Sequence, residues 1–149
     1  MDLVEKISEG LKAALKARDE NRLNTLRMLK SDLIYKEKEL GRKLTDEDML
    51  SVLSSAAKKR TEAMDEFRRG AREDLYEKEL AEYQIVKEFL PEQLSLEELG
   101  QLIDGAIAEA AATSVNDLGA VMKVLMPKIR GRADGKKVNI AVREKLTTK

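Results

Sequence analysis

The sequence predicts an all-α protein. Three observations predict it. Apolar residues recur at three- and four-residue spacing along nearly the whole chain, no segment shows the alternation of a strand, and Leu, Ala, Lys, Glu and Arg dominate. Only 8 Gly and 2 Pro interrupt 149 residues. A chain of this size buries roughly 70% of its unfolded surface, enough for a core without staples.

Leu3, Ile7, Leu11 and Leu15 form one stripe of a first helix, which breaks near Asn21. Leu23, Leu26, Leu29, Leu33 and Leu40 line a second, closed by Gly41 as a left-handed cap. Thr45 caps the third, with Asp46, Glu47 and Asp48 opposing the helix dipole in its first turn. Met49, Val52, Leu53, Ala56, Ala57, Met64 and Phe67 form its inner face, and Gly70 is the next stop. Arg72-Glu73-Asp74 opens a fourth helix, whose core side is Leu75, Tyr76, Leu80, Tyr83, Val86, Phe89 and Leu90. Asp65 with Arg69 and Asp74 with Lys78 are acid-first pairs four residues apart, each contributing a few tenths of a kcal/mol.

Pro91 cannot continue the helical ladder and biases Leu90 away from helix. It is therefore the expected domain boundary: a helical N-terminal bundle over 1–91 and a small three-helix tail over 92–149. In the tail, Ser95 and Glu98 have capping-box spacing, and Leu99, Leu102, Ile103 and Ile107 mark a helix ending near Ala112. Ser114-Val115-Asn116-Asp117 opens the next, faced by Leu118, Val121, Met122 and Leu125 and kinked or closed by Pro127. The loop Gly131-Arg132-Ala133-Asp134-Gly135 leads to a last helix with Val138, Val142 and Leu146 on one face.

Composition narrows the chemistry. Cys and His are both absent, which removes disulfides, thiolate metal sites, the commonest zinc ligand and the commonest general base. No cofactor or metal is expected. Met1-Asp2-Leu3-Val4-Glu5-Lys6 has mixed charge and no apolar run, so no signal peptide is expected. No stretch approaches the roughly 20 apolar residues of a membrane span, so a cytoplasmic protein without membrane partners is expected.

Several segments resemble the GatB/YqeY family. The closest resemblance lies in Asp117-Leu118-Gly119-Ala120-Val121-Met122, Leu125-Met126-Pro127-Lys128 and Gly131-Arg132-Ala133-Asp134-Gly135-Lys136-Lys137-Val138-Asn139. That stretch is also similar to the tail domain of the B subunit of tRNA-dependent amidotransferases. Upstream, Arg27-Met28-Leu29-Lys30, Arg72-Glu73-Asp74-Leu75 and Phe89-Leu90-Pro91-Glu92-Gln93-Leu94 resemble YqeY-like proteins. The resemblance implies a helical N-terminal domain, a three-helix tail that touches transfer RNA, and the family label of carbon–nitrogen ligase with glutamine as amido-N-donor. The amidotransferase's catalytic cradle and amidase subunit have no counterpart here, so that label is inherited from the relatives. Gly135 stands where the amidotransferase tail often has Pro, which keeps the turn but loses the pre-organisation of Pro at a first helical position.

Charge is unevenly spread, although 28 basic residues balance 28 acidic ones. From Lys123 to Lys149, nine Lys or Arg face Asp134 and Glu144, a net +7. From Glu92 to Met122 there are six acids and no Lys or Arg. Lys128, Arg130, Arg132, Lys136 and Lys137 crowd around a loop and a helix start, a surface suited to phosphate. The alternative is that the basic segment neutralises the acidic one; the resemblance favours phosphate contact. Asn139 either reads an RNA group or caps a turn. No aromatic lies in the patch, so base stacking is not expected.

Catalytic motifs are lacking. Gly131 to Lys137 is one residue short of a Walker loop and has Lys in place of its hydroxyl. The acids of Arg72-Glu73-Asp74 and Glu77-Lys78-Glu79 read as solvated, dipole-opposing residues. Ser54-Ser55 followed by Lys58-Lys59 is helical surface, without the Gly/Ser-rich loop of a Ser–Lys amidase. The leading expectation is an accessory protein that binds transfer RNA. The alternatives are a protein–protein adaptor without RNA, docking an amidotransferase or another protein, and an amido-transferring subunit whose partners supply the nucleophile and ATP site. Alone, the purified chain is expected to show neither glutaminase nor ATPase activity. Turnover above a blank, abolished by changing one residue of this chain, overturns that expectation.

Overall fold

A computed structural model describes residues 2–148. Among the described residues the regular structure is wholly helical: α1 (Leu3–Ala17), α2 (Glu20–Leu40), α3 (Asp46–Arg69), α4 (Glu73–Lys87), α5 (Leu96–Glu109), a 3₁₀ turn (Val115–Asp117), α6 (Leu118–Ile129) and α7 (Gly135–Thr147). The chain divides into two compact units, one ending at Pro91 and one beginning at Glu92.

In the first unit, Asp2 caps α1 by accepting the Glu5 N–H at 2.8 Å. Ile7 and Ala14 are buried, whereas Leu15 is 62% exposed. The expected stripe of Leu3, Ile7, Leu11 and Leu15 therefore ends early. Steps of four residues rotate the stripe by about 40° each, so by Leu15 it has left the core and Ala14 has taken its place. The break to α2 comes before Asn21. Arg18 adopts the left-handed conformation (φ 58°), and Asp19 caps α2 through the Arg22 N–H at 3.1 Å. Gly10 lets the two helices close: a Cβ there would lie 3.1 Å from Leu26 Cδ1.

Leu26, Leu29 and Leu33 form the buried face of α2, while Leu40 in the last turn is 38% exposed. Gly41 ends the helix at φ 68°, as expected of a left-handed cap. At the start of α3, Thr45 Oγ1 accepts the Asp48 N–H at 3.1 Å and the Asp48 carboxylate accepts the Thr45 N–H at 2.8 Å. The Arg42 guanidinium, 2.6 Å from Asp48, holds that carboxyl well below the usual carboxylate range. Met49, Leu53, Ala56 and Ala57 carry α3 into a core shared with Ile7, the α2 leucines and Val86 of α4.

The α3–α4 hairpin turns differently from the sequence expectation. Gly70 keeps a negative φ of −85°, and Ala71 takes the left-handed position at φ 55°. The bond from Arg72 N–H to Phe67 O at 2.8 Å spans the turn and requires that conformation one residue after the glycine. Asp74 pairs with Arg72 at 3.1 Å rather than with Lys78, and no described ion pair joins Asp65 to Arg69.

The second unit packs Ile103, Ala106 and Ile107 of α5 against Val121, Leu125 and Ile129 of α6 and Val138, Val142 and Leu146 of α7. Ser95 caps α5 through the Glu98 N–H at 3.1 Å, but only half of the expected box forms. The Glu98 carboxylate instead accepts the Ser95 hydroxyl at 3.1 Å. Helix α5 stops at Glu109, short of Ala112, because Ala111 turns left-handed at φ 52°. Ser114 and Asp117 make the reciprocal box that opens the 3₁₀ turn. Asp117 accepts the Thr113 and Ser114 N–H groups, and these bonds keep its carboxyl below the ordinary range. Pro127 lies within α6, which continues to Ile129.

Two predictions follow from these turns and cores. Ala71→Gly and Ala111→Gly should each raise stability by about 0.5–1 kcal/mol, because glycine occupies the left-handed region without the Cβ clash. Thermal melting checks this. A fragment from Glu92 to Lys149 should remain helical by circular dichroism, with a stability of only a few kcal/mol. Adding Leu125→Ala, a core truncation that costs about 2–5 kcal/mol, should unfold it.

Candidate nucleic-acid interface

The expected phosphate-contacting residues lie along the end of α6, the following loop and the first turns of α7. Arg130 caps α6 in an extended conformation (φ −57°, ψ 125°), and Gly131 follows at φ 76°. Gly131 is buried, and its left-handed turn uses a conformation that glycine adopts without the strain of a Cβ. Arg132 and Ala133 both return their N–H groups to Ile129 O, at 2.8 and 3.1 Å, which tightens the turn before α7. The segment after Pro91 is bound to this same loop. Leu94 N–H donates to Arg132 O at 2.9 Å, Gln93 Nε2 to Gly131 O at 2.9 Å, and Arg132 Nε to Glu92 O at 3.2 Å.

The cations divide into two groups. Lys128 Nζ is 3.2 Å from Glu109 Oε2, Arg132 Nη2 is 3.8 Å from Glu98 Oε2, and Lys145 Nζ is 2.7 Å from Asp104 Oδ1. Three acids of α5 are thus matched by cations of the basic segment, so part of the expected phosphate surface is engaged within the tail. These pairs are solvent-exposed, and each contributes under about 1 kcal/mol. Lys136 and Lys137 are exposed in the first turn of α7, and no described ion pair reaches either side chain. Arg130 is half-buried, with its Nε enclosed and lacking an acceptor among the described residues.

The helix start itself offers less than expected. Asp134 accepts the Lys136 N–H at 2.9 Å, so a carboxylate already occupies the end of α7 where an incoming phosphate would meet backbone donors. What this end still offers are the exposed side chains of Lys136 and Lys137. Asn139 sits half-buried inside α7, and capping falls to Asp134.

Sequence reasoning missed a polar cluster in the first unit. Arg60 of α3 is only 6% exposed. Its Nη1 donates to Ala56 O at 2.8 Å, its Nη2 to Met28 Sδ at 3.3 Å, and its Nε lies 3.6 Å from Glu82 Oε2 of α4. Burial pushes the Glu79 carboxyl up, and the neighbouring Glu82 charge pushes it further. A lone Arg on a charged helix looks like any solvated residue, so nothing in the spacing singled it out. Among the described residues, no group of three or more acidic side chains converges as a metal site.

Comparison with known proteins matches residues 4–146 to the Yqey-like protein family. An uncharacterized protein of Schizosaccharomyces pombe is 37% identical over 60% of this chain and 72% of its own. A protein of Lachancea thermotolerans named "Altered inheritance of mitochondria protein 41, mitochondrial" is 32% identical over 93% of this chain and 70% of its own. Its namesake in Pyrenophora tritici-repentis is 28% identical over 86% of this chain and 71% of its own. A family match that spans both helical units, with relatives similar along most of the chain, establishes that the chain belongs to the YqeY-like family.

Proposed function

We propose that this chain is a transfer-RNA-binding accessory protein, related to the tails of amidotransferase B subunits, which grips the phosphate backbone with its basic C-terminal end. One observation carries the reading: Lys136 and Lys137 are exposed and unmatched by described acids, although three acids of α5 pair with other cations of the segment. Lys128 and Arg132 form the flank. Their exposed pairs with Glu109 and Glu98 exchange for phosphate at little cost, because surface ion pairs contribute so little. Arg130 adds a fifth charge where the loop begins. Contacts of this kind position an RNA without reading its bases, so affinity is modest and weakly sequence-specific.

Neutralising three to four phosphates gives log affinity a slope of roughly −3 against log salt. A fourfold rise in salt then weakens binding by about two decades. Lys136→Ala with Lys137→Ala should flatten the slope by up to about two units, similarly for different transfer RNAs. Stability should change by no more than about 0.5 kcal/mol, because both side chains are exposed. Gln101→Ala, an exposed uncharged change, should leave both quantities alone. Filter binding across a salt series measures this. If the intact protein binds no RNA even at low salt, the protein–protein adaptor becomes the better reading. If it binds and the double variant keeps its slope, RNA binding stands and the surface lies elsewhere.

A further inference from the structure

Arg60 is a buried cation with too few good acceptors. A guanidinium carries five N–H donors and no acceptor. Here one strong acceptor, Ala56 O, takes a bond at 2.8 Å. The Glu82 carboxylate stands off at 3.6 Å from Nε, beyond hydrogen-bond length, and Nε is enclosed without a hydrogen bond. The remaining contact, from Nη2 at 3.3 Å, goes to a thioether sulfur, which accepts weakly. A buried charge held this loosely gains whenever a stronger acceptor replaces a weak one.

Met28 can supply that acceptor. It is 38% exposed, whereas Met49 is 9% exposed and Met64, Met122 and Met126 are half-buried. Met28 is therefore the most solvent-exposed side chain of these five methionines. Thioether sulfur has two lone pairs, and only one faces Arg60. We propose that Met28 is a reversible oxidation site, at which a hydroperoxide converts the thioether to a sulfoxide whose oxygen is bound by the buried Arg60 guanidinium. The free sulfur lone pair attacks one peroxide oxygen as the O–O bond breaks. Sulfur loses two electrons, the transferred oxygen gives up its proton, and the departing hydroxide takes that proton, directly or through solvent, and leaves as water. Rotation about Cγ–Sδ of the unbranched side chain turns the new oxygen to Nη2. A dithiol-dependent sulfoxide reductase returns the thioether and carries the oxygen away as water. Sulfoxide formation ordinarily disrupts a packed site; here it gives Nη2 a strong oxygen acceptor in place of a weak sulfur one.

The test uses the intact chain and dilute hydrogen peroxide. Peptide mapping by mass spectrometry should find Met28 gaining one oxygen several-fold faster than Met49, Met64, Met122 and Met126. A methionine sulfoxide reductase with dithiol should restore it. In the same samples, the Arg60 guanidinium resonances should shift as Met28 is oxidised. Met28→Gln places a carbonyl oxygen at a similar reach, so it should shift them in the same direction without peroxide. Met28→Leu should leave them unmoved by peroxide. Oxidation of Met28 no faster than that of Met64, Met122 and Met126 overturns the proposal, as do Arg60 resonances that stay in place once Met28 is oxidised.

Discussion

Burial of one apolar stripe per helix is the constraint on which both units depend. No strand ladder, disulfide or metal cluster shares the work among the described residues. Most helical stability comes from packing an amphipathic face rather than from intrinsic propensity. In the first unit, Leu26, Leu29 and Leu53 are fully enclosed. In the second, Val121, Leu125, Ile129, Val138 and Val142 are equally so, spaced four residues apart on two successive helices. Each apolar side chain moved from water to such a site contributes about 1.5–3 kcal/mol before chain entropy is set against it.

Turns then decide where one stripe ends and the next begins. Among the described residues five take a positive φ, and only Gly41 and Gly131 among them are glycines. Arg18, Ala71 and Ala111 bear the Cβ clash of the left-handed region, a cost of roughly 1–2 kcal/mol each. The chain tolerates this because each turn returns backbone N–H groups to the carbonyls of the preceding helix: Asp19 to Ala14, Arg72 to Phe67 and Ala112 to Ile107. Those carbonyls would otherwise lack partners at a helix end.

Charge does two different jobs in the two units. In the tail, the acids of α5 and the cations of α6, the loop and α7 meet across the surface of the unit, in pairs of 2.7 to 3.8 Å that solvent still reaches. Their energetic contribution is small, and their effect is to determine which cations are left for an external anion. In the first unit, Arg60 is taken almost wholly out of water and is held by a carbonyl, a thioether and a carboxylate. Removing a charge from water is costly unless good partners surround it, so this arrangement ties α2, α3 and α4 together at a single guanidinium.

The sequence by itself determined the all-α class, the Gly41 cap, the Thr45 and Ser95 N-caps and the inward faces of α6 and α7. These depend on spacing within one helix or on atoms three residues apart, and such information is local. The break expected near Asn21 falls at Arg18 and Asp19, and only the backbone path shows that the Asp19 carboxylate caps the next helix. Leu15 lost its place because a four-residue repeat drifts around a 3.6-residue helix. Tertiary structure alone decided the charges. The identity of Lys128, Arg130, Arg132, Lys136 and Lys137 as a basic cluster was legible, but whether each is free or already engaged depends on acids such as Glu109 and Glu98, 19 and 34 residues away in sequence. Arg60 was invisible for the same reason. A cation's role is set by the dielectric and the acceptors around it, and those are brought by Met28 and Glu82 from two other helices.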